Sequence, residues 1–326
     1  MSKAFNRINW DFLLAVLGKL RFPQHWISLI KECISKVQFS VLVNGQTTTP
    51  FKSSCGLKQG NPLSPILFAI FSEALSATLL AHQASNQLKG ISVARQGPKI
   101  NHLLFADNNL FFIHLDPKSI NFFCNSIKDF CEDSGQIINF QKFVITFSSL
   151  TPLASKNKIL GKLNISPSDH FDNYLAISLD IKHKRKAFFS NSVDKIKNKI
   201  LSWKIKFLNF AGKTTLIKYV LQSILVYPMG IYKFPLATLN EIDKIFTNFL
   251  RGGGYHTVIH WINWDFLCLD KENGGLGFKH LHHFNLALLA RNGWRLIQNP
   301  ESPLNTLFKS KYYPNTSPID IENQKN

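Results

Sequence analysis

Residues 1 to 150 predict an α+β fold, an antiparallel sheet with helices on one face, and three observations predict it. Phe39, Val41 and Val43 alternate with polar residues up to Asn44-Gly45, and Phe51 lies on the return, the strongest short hairpin signal. Leu103-Leu104-Phe105-Ala106-Asp107-Asn108-Asn109-Leu110-Phe111-Phe112 runs apolar into a short polar turn and out again, as two buried strands joined tightly. Helix-period stretches stand before, between and after these hairpins, the element order of an antiparallel sheet covered by helices.

The elements follow in order. Trp10, Leu13, Leu14 and Leu17 fall at helical spacing and Phe22-Pro23 ends that helix; Trp26, Leu29, Ile30 and Ile34 predict a second helix with one apolar face. After the Asn44-Gly45 hairpin comes Gly56-Leu57-Lys58-Gln59-Gly60-Asn61-Pro62-Leu63-Ser64-Pro65-Ile66-Leu67-Phe68. Its glycines and Pro62 make a tight loop that lets backbone approach a ligand, Pro65 suits the first turn of a helix, and the residues beyond bury that helix. Leu63 to Ala81 is apolar enough to raise a membrane span, but Pro65 and Glu73 interrupt it and a buried helix is expected.

The second hairpin carries Asp107 at its tip. A carboxylate on a buried strand pair suits a hard cation such as Mg²⁺, which takes oxygen ligands and shares them with phosphates. Asp and Asn are also ordinary turn residues for backbone reasons, and on this stretch alone both readings stay open. Ile120 to Phe130 then reads as a helix, and Ser134 to Lys142 leads into a strand at Val144 to Phe147.

From Lys182 the character shifts. Residues 182 to 218 hold eleven basic side chains against one acid, Asp194. Val193, Ile196, Ile200 and Trp203 make the apolar stripe of a helix, and Lys195, Lys199 and Lys206 share another face. So few acids leave those lysines without i,i+4 partners, which favours a surface that tracks phosphates. Ala211-Gly212-Lys213-Thr214-Thr215 ends like a phosphate-binding loop, but the first glycine that motif requires falls on Phe207 and no buried strand leads in. Lys213 and Lys218 are placed instead on a second basic helix through Leu216, Val220 and Leu221. His280, His282, His283 and Cys268 match no zinc spacing.

The chain of 326 residues is 45% hydrophobic and 13% aromatic, enough to bury a sizeable core in two or three domains. With 38 Lys+Arg against 20 Asp+Glu its formal charge is +18, which favours a polyanionic partner. Most of the excess lies beyond residue 150, where 24 basic residues face 12 acids. Five scattered cysteines without a C-x-x-C pair indicate neither a disulfide framework nor a zinc knuckle and fit a reduced, intracellular compartment. No targeting signal, membrane association or protein partner is expected.

Together these segments resemble the reverse transcriptase of LINE-type (non-LTR) retrotransposons in its plant form, over nearly the whole chain. Met1-Ser2-Lys3-Ala4-Phe5-Asn6-Arg7 is similar to the end of the first palm motif, Asp-Met-Ser-Lys-Ala-Phe-Asp-Arg. Gly56 to Phe68 is similar to Gly-Leu-Arg-Gln-Gly-Asp-Pro-Leu-Ser-Pro-x-Leu-Phe, Phe105 to Asn108 to Phe-Ala-Asp-Asp, and Ser134 to Lys142 to Ser-Gly-Gln-x-Ile-Asn-x-x-Lys. Tyr174-Leu175-Ala176 stands where the family has Tyr-Leu-Gly, and Trp203 through Gly274-Gly275-Leu276-Gly277-Phe278 follows the thumb and downstream order.

The resemblance implies a right-hand polymerase: a partial palm at 1–150 with its first strand missing, a basic helical thumb and connection at 151–250, and a C-terminal extension of the retroelement polyprotein at 251–326. It implies RNA-directed DNA synthesis by two Mg²⁺ ions, Mn²⁺ as an alternative, on an RNA template and DNA primer or RNA–DNA duplex, in the nucleus. Carried over by position, Asp107 is the metal ligand, with Asn108 a degenerate catalytic position and Lys142 the phosphate partner. Gln59, Gly60, Phe105 and Ala106 lie against nucleotide and template. Lys195, Lys199, Lys206 and Lys213 are expected on the nucleic-acid backbone.

The departures carry as much information as the matches. Asn108 replaces the second hairpin aspartate, Asn6 and Asn61 replace two more, and the first-strand aspartate of the pattern would sit immediately before Met1. Asn offers a carbonyl oxygen without charge, so a site of three carboxylates falls to one. The expectation is a decayed copy read from an internal methionine, with little or no polymerase activity. The rival reading is a non-catalytic nucleic-acid-binding remnant that uses the basic thumb. A group II intron maturase shares the palm logic, and the Gly274 to Phe278 segment argues against it.

Overall fold

The structure, a computed structural model, describes residues 3–95, 97–139, 143–163, 174–175, 181–203, 208–252 and 262–319. It divides into two compact units, Met1–His170 and Phe171–Asn326. Helices and small antiparallel sheets are mixed, as an α+β reading requires.

The first unit is built around α3 (Leu63–Ala84), which buries Leu67, Phe68, Phe71, Leu75 and Leu79. By length and composition α3 could cross a membrane, but this stripe packs on α1 (Trp10–Lys19) and α4 (Pro117–Ser134) as a core helix. Phe12, Phe71 and Phe130 meet where the three helices join, with ring centroids 5.5 to 5.8 Å apart. Each helix is bounded as its sequence dictates. The Asn9 side chain accepts from the amides of Asp11 and Phe12 to start α1, and Asp116 accepts from Ser119 with Pro117 in the first turn of α4. Gly135 closes α4 in the left-handed conformation. In α2 (Gln24–Ser35) the inward stripe is Ile27, Ile30 and Ile34, while Trp26 and Leu29, expected on that face, are exposed.

Among the described residues eight short strands pair as four separate hairpins or ribbons: β1 (Gln38–Phe39) with β4 (Phe51–Lys52), β2 (Leu42–Val43) with β3 (Gln46–Thr47), β5 (Ile91–Ser92) with β6 (Lys99–Ile100), and β7 (His102–Phe105) with β8 (Asn108–Phe111). Asn44 and Gly45 both take positive φ between β2 and β3, the two-residue turn their sequence requires. The single antiparallel sheet expected from the sequence is thus resolved into two-stranded pieces among the described residues. Among the described residues no strand exceeds four residues; the β2–β3, β5–β6 and β7–β8 pairs each join consecutive strands, and β1–β4 brackets β2–β3. The strand expected at 144–147 shrinks to one bridge residue, Ile145. Helix α5 (Leu153–Leu163) closes the described part of the unit.

The second unit is helical. Val193, Ile196 and Ile200 of α6 (Ile181–Leu201) are buried, as their spacing predicts. Next, α7 (Phe210–Leu216) runs through one π-helical turn at Ile217–Leu221 into α8 (Gln222–Met229), burying Ile217, Leu221, Leu225 and Met229 along one stripe. Helix α9 (Leu236–Leu250) inserts Phe246 and Phe249 into the same core, which continues through α10 (Trp264–Cys268) and α11 (Leu281–Gln298). The last described helix is α12 (Pro303–Tyr312). Two buried amides hold this core in register. Asn285 accepts from the Phe234 amide and donates to the Met229 and Tyr232 carbonyls, and Gln222 exchanges both its amide bonds with the Lys279 backbone. Three well-made hydrogen bonds let Asn285 sit at 1% exposure without the penalty of an orphaned polar group.

Candidate functional site

The first unit brings three of the predicted segments together through backbone. Residues 4–9 lie between the loop of residues 55–60 and the end of α4. On one side the Leu57 amide donates to the Phe5 carbonyl and the Gly56 amide to the Ile8 carbonyl, each at 2.8 Å, while the Trp10 indole donates to the Gly56 carbonyl at 2.7 Å. On the other, the Asn9 amide donates to the Ser134 carbonyl and Gln136 Nε2 to the Ala4 carbonyl, both at 3.0 Å. Phe5 stacks on Phe68 from behind.

Glycine is required at both seams. Gly56 has φ +85° and a Cβ there would lie 2.7 Å from the Asn6 carbonyl oxygen; Gly135 has φ +74° and its Cβ would lie 2.7 Å from the Arg7 carbonyl oxygen. The glycines of both motifs are therefore fixed by close backbone approach.

Gln59 points back to this segment, its Nε2 donating to Asn6 Oδ1 at 3.5 Å, a long bond between two exposed amides. Gly60 has φ +83° with open space where a Cβ would be, so backbone conformation alone demands glycine there.

Asp107 occupies the tip of the β7–β8 hairpin. The register pairs Phe105 with Asn108, so the turn consists of Ala106 and Asp107. Ala106 takes φ +50°, a conformation that costs a non-glycine residue about 1–2 kcal/mol. Phe105, Ala106, Asp107 and Asn108 are all exposed, while Leu104 and Phe111 face inward, Phe111 against Phe123 at 4.9 Å. The base of the hairpin is anchored by Asn101, which donates to the Leu79 carbonyl, and by His102, 3.0 Å from Ser76 Oγ. Burial holds the His102 imidazole below its ordinary pKa, so it sits there neutral.

A pair of divalent ions needs several carboxylate oxygens. Among the described residues no group of three His, Cys, Asp or Glu is disposed to hold a metal, and the hairpin tip supplies one carboxylate beside a neutral amide. This donor set does not fit two Mg²⁺ ions. Lys142 lies outside the described residues.

In the second unit Lys195 and Lys199 are exposed on α6, one turn apart, while Lys206 lies outside the described residues. Lys197, between them, pairs with Glu241 at 2.9 Å. Lys213 does not share their exposure: it is 9% exposed, and a Cβ on Gly252 would lie 3.1 Å from its Nζ. Its ammonium lies beside the C-terminal end of α9, where the helix dipole and unpaired carbonyls favour a cation. The Gly212-Lys213-Thr214 sequence is itself helical, and Asn209 accepts from the Gly212 amide as an N-cap, so no amide nest remains for a phosphate.

Sequence reasoning missed Asp243. It is half-buried on α9, and burial raises its carboxyl to about 7, with Trp264 pulling it down and Asp265 pushing it up. Burial, with Asp243 and Asp265 adding to it, pushes the nearby Cys268 thiol up to about 12 and so keeps it unreactive. A lone acid in a helix that otherwise reads apolar on that face was the available signal.

Residues 1–210 match the sequence profile of the family described as reverse transcriptase (RNA-dependent DNA polymerase). A protein of Arabidopsis thaliana named for ribonuclease H is 32% identical over 133 residues, 40% of this chain and 22% of that protein. An uncharacterized mitochondrial protein of Arabidopsis thaliana is 45% identical over 67 residues, 21% of this chain and 55% of that protein. A transposon RNA-directed DNA polymerase of Drosophila melanogaster is 25% identical over 183 residues, 55% of this chain and 19% of that protein. In each case the chain spans less than two thirds of the relative's own length.

Proposed function

Because the chain belongs to the reverse transcriptase (RNA-dependent DNA polymerase) family, we propose that it is the polymerase fragment of a non-LTR retroelement that retains nucleic-acid binding and has lost most nucleotidyl transfer. Three family segments, at Ala4 to Arg7, Gly56 to Gly60 and Ser134 to Gln136, are joined at residues 4–9 by backbone bonds of 2.8 to 3.0 Å and by the Gln136 side chain on the Ala4 carbonyl at 3.0 Å, which supports a palm-like template and nucleotide surface bearing Gln59 and Gly60. Lys195 and Lys199 on α6 supply a thumb-like surface for the phosphates of an RNA–DNA duplex. The family uses divalent metal ions. Here the observation that carries the loss is the Ala106-Asp107 turn followed by Asn108, a single carboxylate where charge for two ions is needed.

What these residues do without that charge is bind and orient. Asp107, solvent-exposed, suits one weakly held cation. Gln59 presents an amide to a base edge or sugar, and the absence of a side chain at Gly60 lets a nucleotide approach the backbone. Primer extension on an RNA template with Mg²⁺ or Mn²⁺ tests the reading. The expected result is extension at least about 100-fold below that of a version carrying Asn108→Asp together with an upstream aspartate-bearing segment. Vigorous extension by the chain itself, abolished by Asp107→Ala, would overturn it.

A further inference from the structure

We propose that α11 and α12 form a second nucleic-acid surface, a stacking platform for single-stranded RNA built on Trp294 and Tyr312 and flanked by Arg291, Arg295, Lys309 and Lys311. Its residues lie beyond the part of the chain that the polymerase family accounts for. On α11 the buried residues Leu281, Asn285 and Leu288 fix the inner face, and Asn292 adds a hydrogen bond to the Gly230 carbonyl at 2.6 Å. Arg291, Trp294 and Arg295, at i, i+3 and i+4, are therefore neighbours on the outer face, and all three are exposed. Trp294 leaves 57% of its surface in solvent. On α12 Tyr312 is 56% exposed, lies 5.6 Å from the Phe308 ring, and has Lys311 Nζ 5.1 Å from its ring centroid. A groove lined by Arg295, Gln298, Asn299, Glu301, Ser302 and Leu304 joins the end of α11 to the start of α12.

A charged face is ordinarily just solvated, and three observations set this one apart. Residues 274–319 hold five Lys or Arg against a single acid, Glu301. Elsewhere lysines find carboxylates, as Lys197 does with Glu241 and Lys128 with Glu132; among the described residues no ion pair engages Arg291, Arg295, Lys309 or Lys311. Finally, the two most exposed large apolar side chains among these cations are the aromatic Trp294 and Tyr312, at 57% and 56%, ahead of Leu304 at 52%; hydration does not favour bare rings and base stacking does. Charge selects a polyanion, and exposed ring faces select one with unpaired bases, hence single-stranded RNA rather than duplex.

The test is fluorescence anisotropy of the full chain with a labelled single strand of about 20 nucleotides and a blunt duplex of equal length, across a salt series. Trp294→Ala is expected to weaken single-strand binding about 5- to 100-fold and duplex binding less than 2-fold, with Trp294→Phe restoring most of it. Arg291→Gln with Arg295→Gln is expected to reduce the slope of log affinity against log salt by about 1.4. These side chains are exposed, and an unchanged circular dichroism spectrum confirms that the variants fold. Wild-type affinity in folded Trp294→Ala, or equal losses on single strand and duplex, would overturn the platform. Lys195→Gln with Lys199→Gln, scored on an RNA–DNA duplex, reports separately on the α6 surface, so either surface can fail without the other.

Discussion

The β7–β8 hairpin and the α9–α11 core are two ways of holding an acid. Asp107 stands in solvent at the end of a four-residue strand pair whose outer face, Leu103 and Phe105, is also in solvent. Asp243 is held on a helix between Trp264 and Cys268, under a core in which Phe246 and Phe249 are almost completely buried. The hairpin tip is exposed along its whole turn, Phe105 to Asn108. The helical core gains stability from every side chain it covers and, at Asp243, bears the cost of a carboxyl that resists ionisation. The acid of the first region is therefore open to solvent, and titration-dependent stability belongs to the second.

The sharpest way to break the contrast is to truncate one aromatic in each place. Phe246→Ala, at 0% exposure, is expected to cost about 3–5 kcal/mol and Phe105→Ala, at 58%, less than about 0.5, both read from denaturant unfolding of the chain. Equal costs would mean that the hairpin's outer face is covered in the folded protein.

Next in size is the seam that positions the hairpin's neighbours. Gly135→Ala forces a Cβ to 2.7 Å from the Arg7 carbonyl oxygen at a φ of +74°, and the expected cost is about 2 kcal/mol or more. The readout is the unfolding midpoint together with loss of hydrogen-exchange protection at the Asn9 amide. A neutral outcome would show that residues 4–9 are not held by α4.

These two tests also mark what was legible in the sequence. Gly56, Gly135 and the Asn44-Gly45 turn announce themselves because glycine at a positive φ leaves a residue-level trace. The stripe Val193, Ile196, Ile200 is legible because helical periodicity is local. The fate of Lys213 was not: whether a lysine meets solvent or the end of another helix depends on α9, more than twenty residues away, and no spacing records that. Nor was the division of the strands, since pairing between hairpins depends on how helices α3 and α4 cover them. Asn285 and Gln222 read as ordinary polar residues, and only the folded core shows that they fasten three chain segments.

The third prediction sharpens the Asp243 half of the comparison. Its folded pKa, about 7, lies above the ordinary 3.8, so between those values the folded state binds more protons than the unfolded one and stability falls as pH rises. From pH 5 to pH 8 the unfolding free energy is expected to drop by roughly 2 kcal/mol through this group and to level off above about 7. Asp243→Asn should flatten that limb. A variant with an undiminished slope would assign the titration to another group.

The smallest expected effect belongs to Asp107. Replacing it by Ala removes an exposed carboxylate from a two-residue turn whose strained position is Ala106, so stability should change by less than about 0.5 kcal/mol. Binding of an RNA–DNA duplex at a fixed salt concentration should stay within about 2-fold of the parent, because the proposed phosphate contacts are those of Lys195 and Lys199 and one exposed charge is screened by salt. If instead Asp107→Ala weakened duplex binding about 10-fold, and only when Mg²⁺ was present, the carboxylate would be holding an ion at the nucleic acid, and the hairpin would have to be counted as a working metal site despite Asn108.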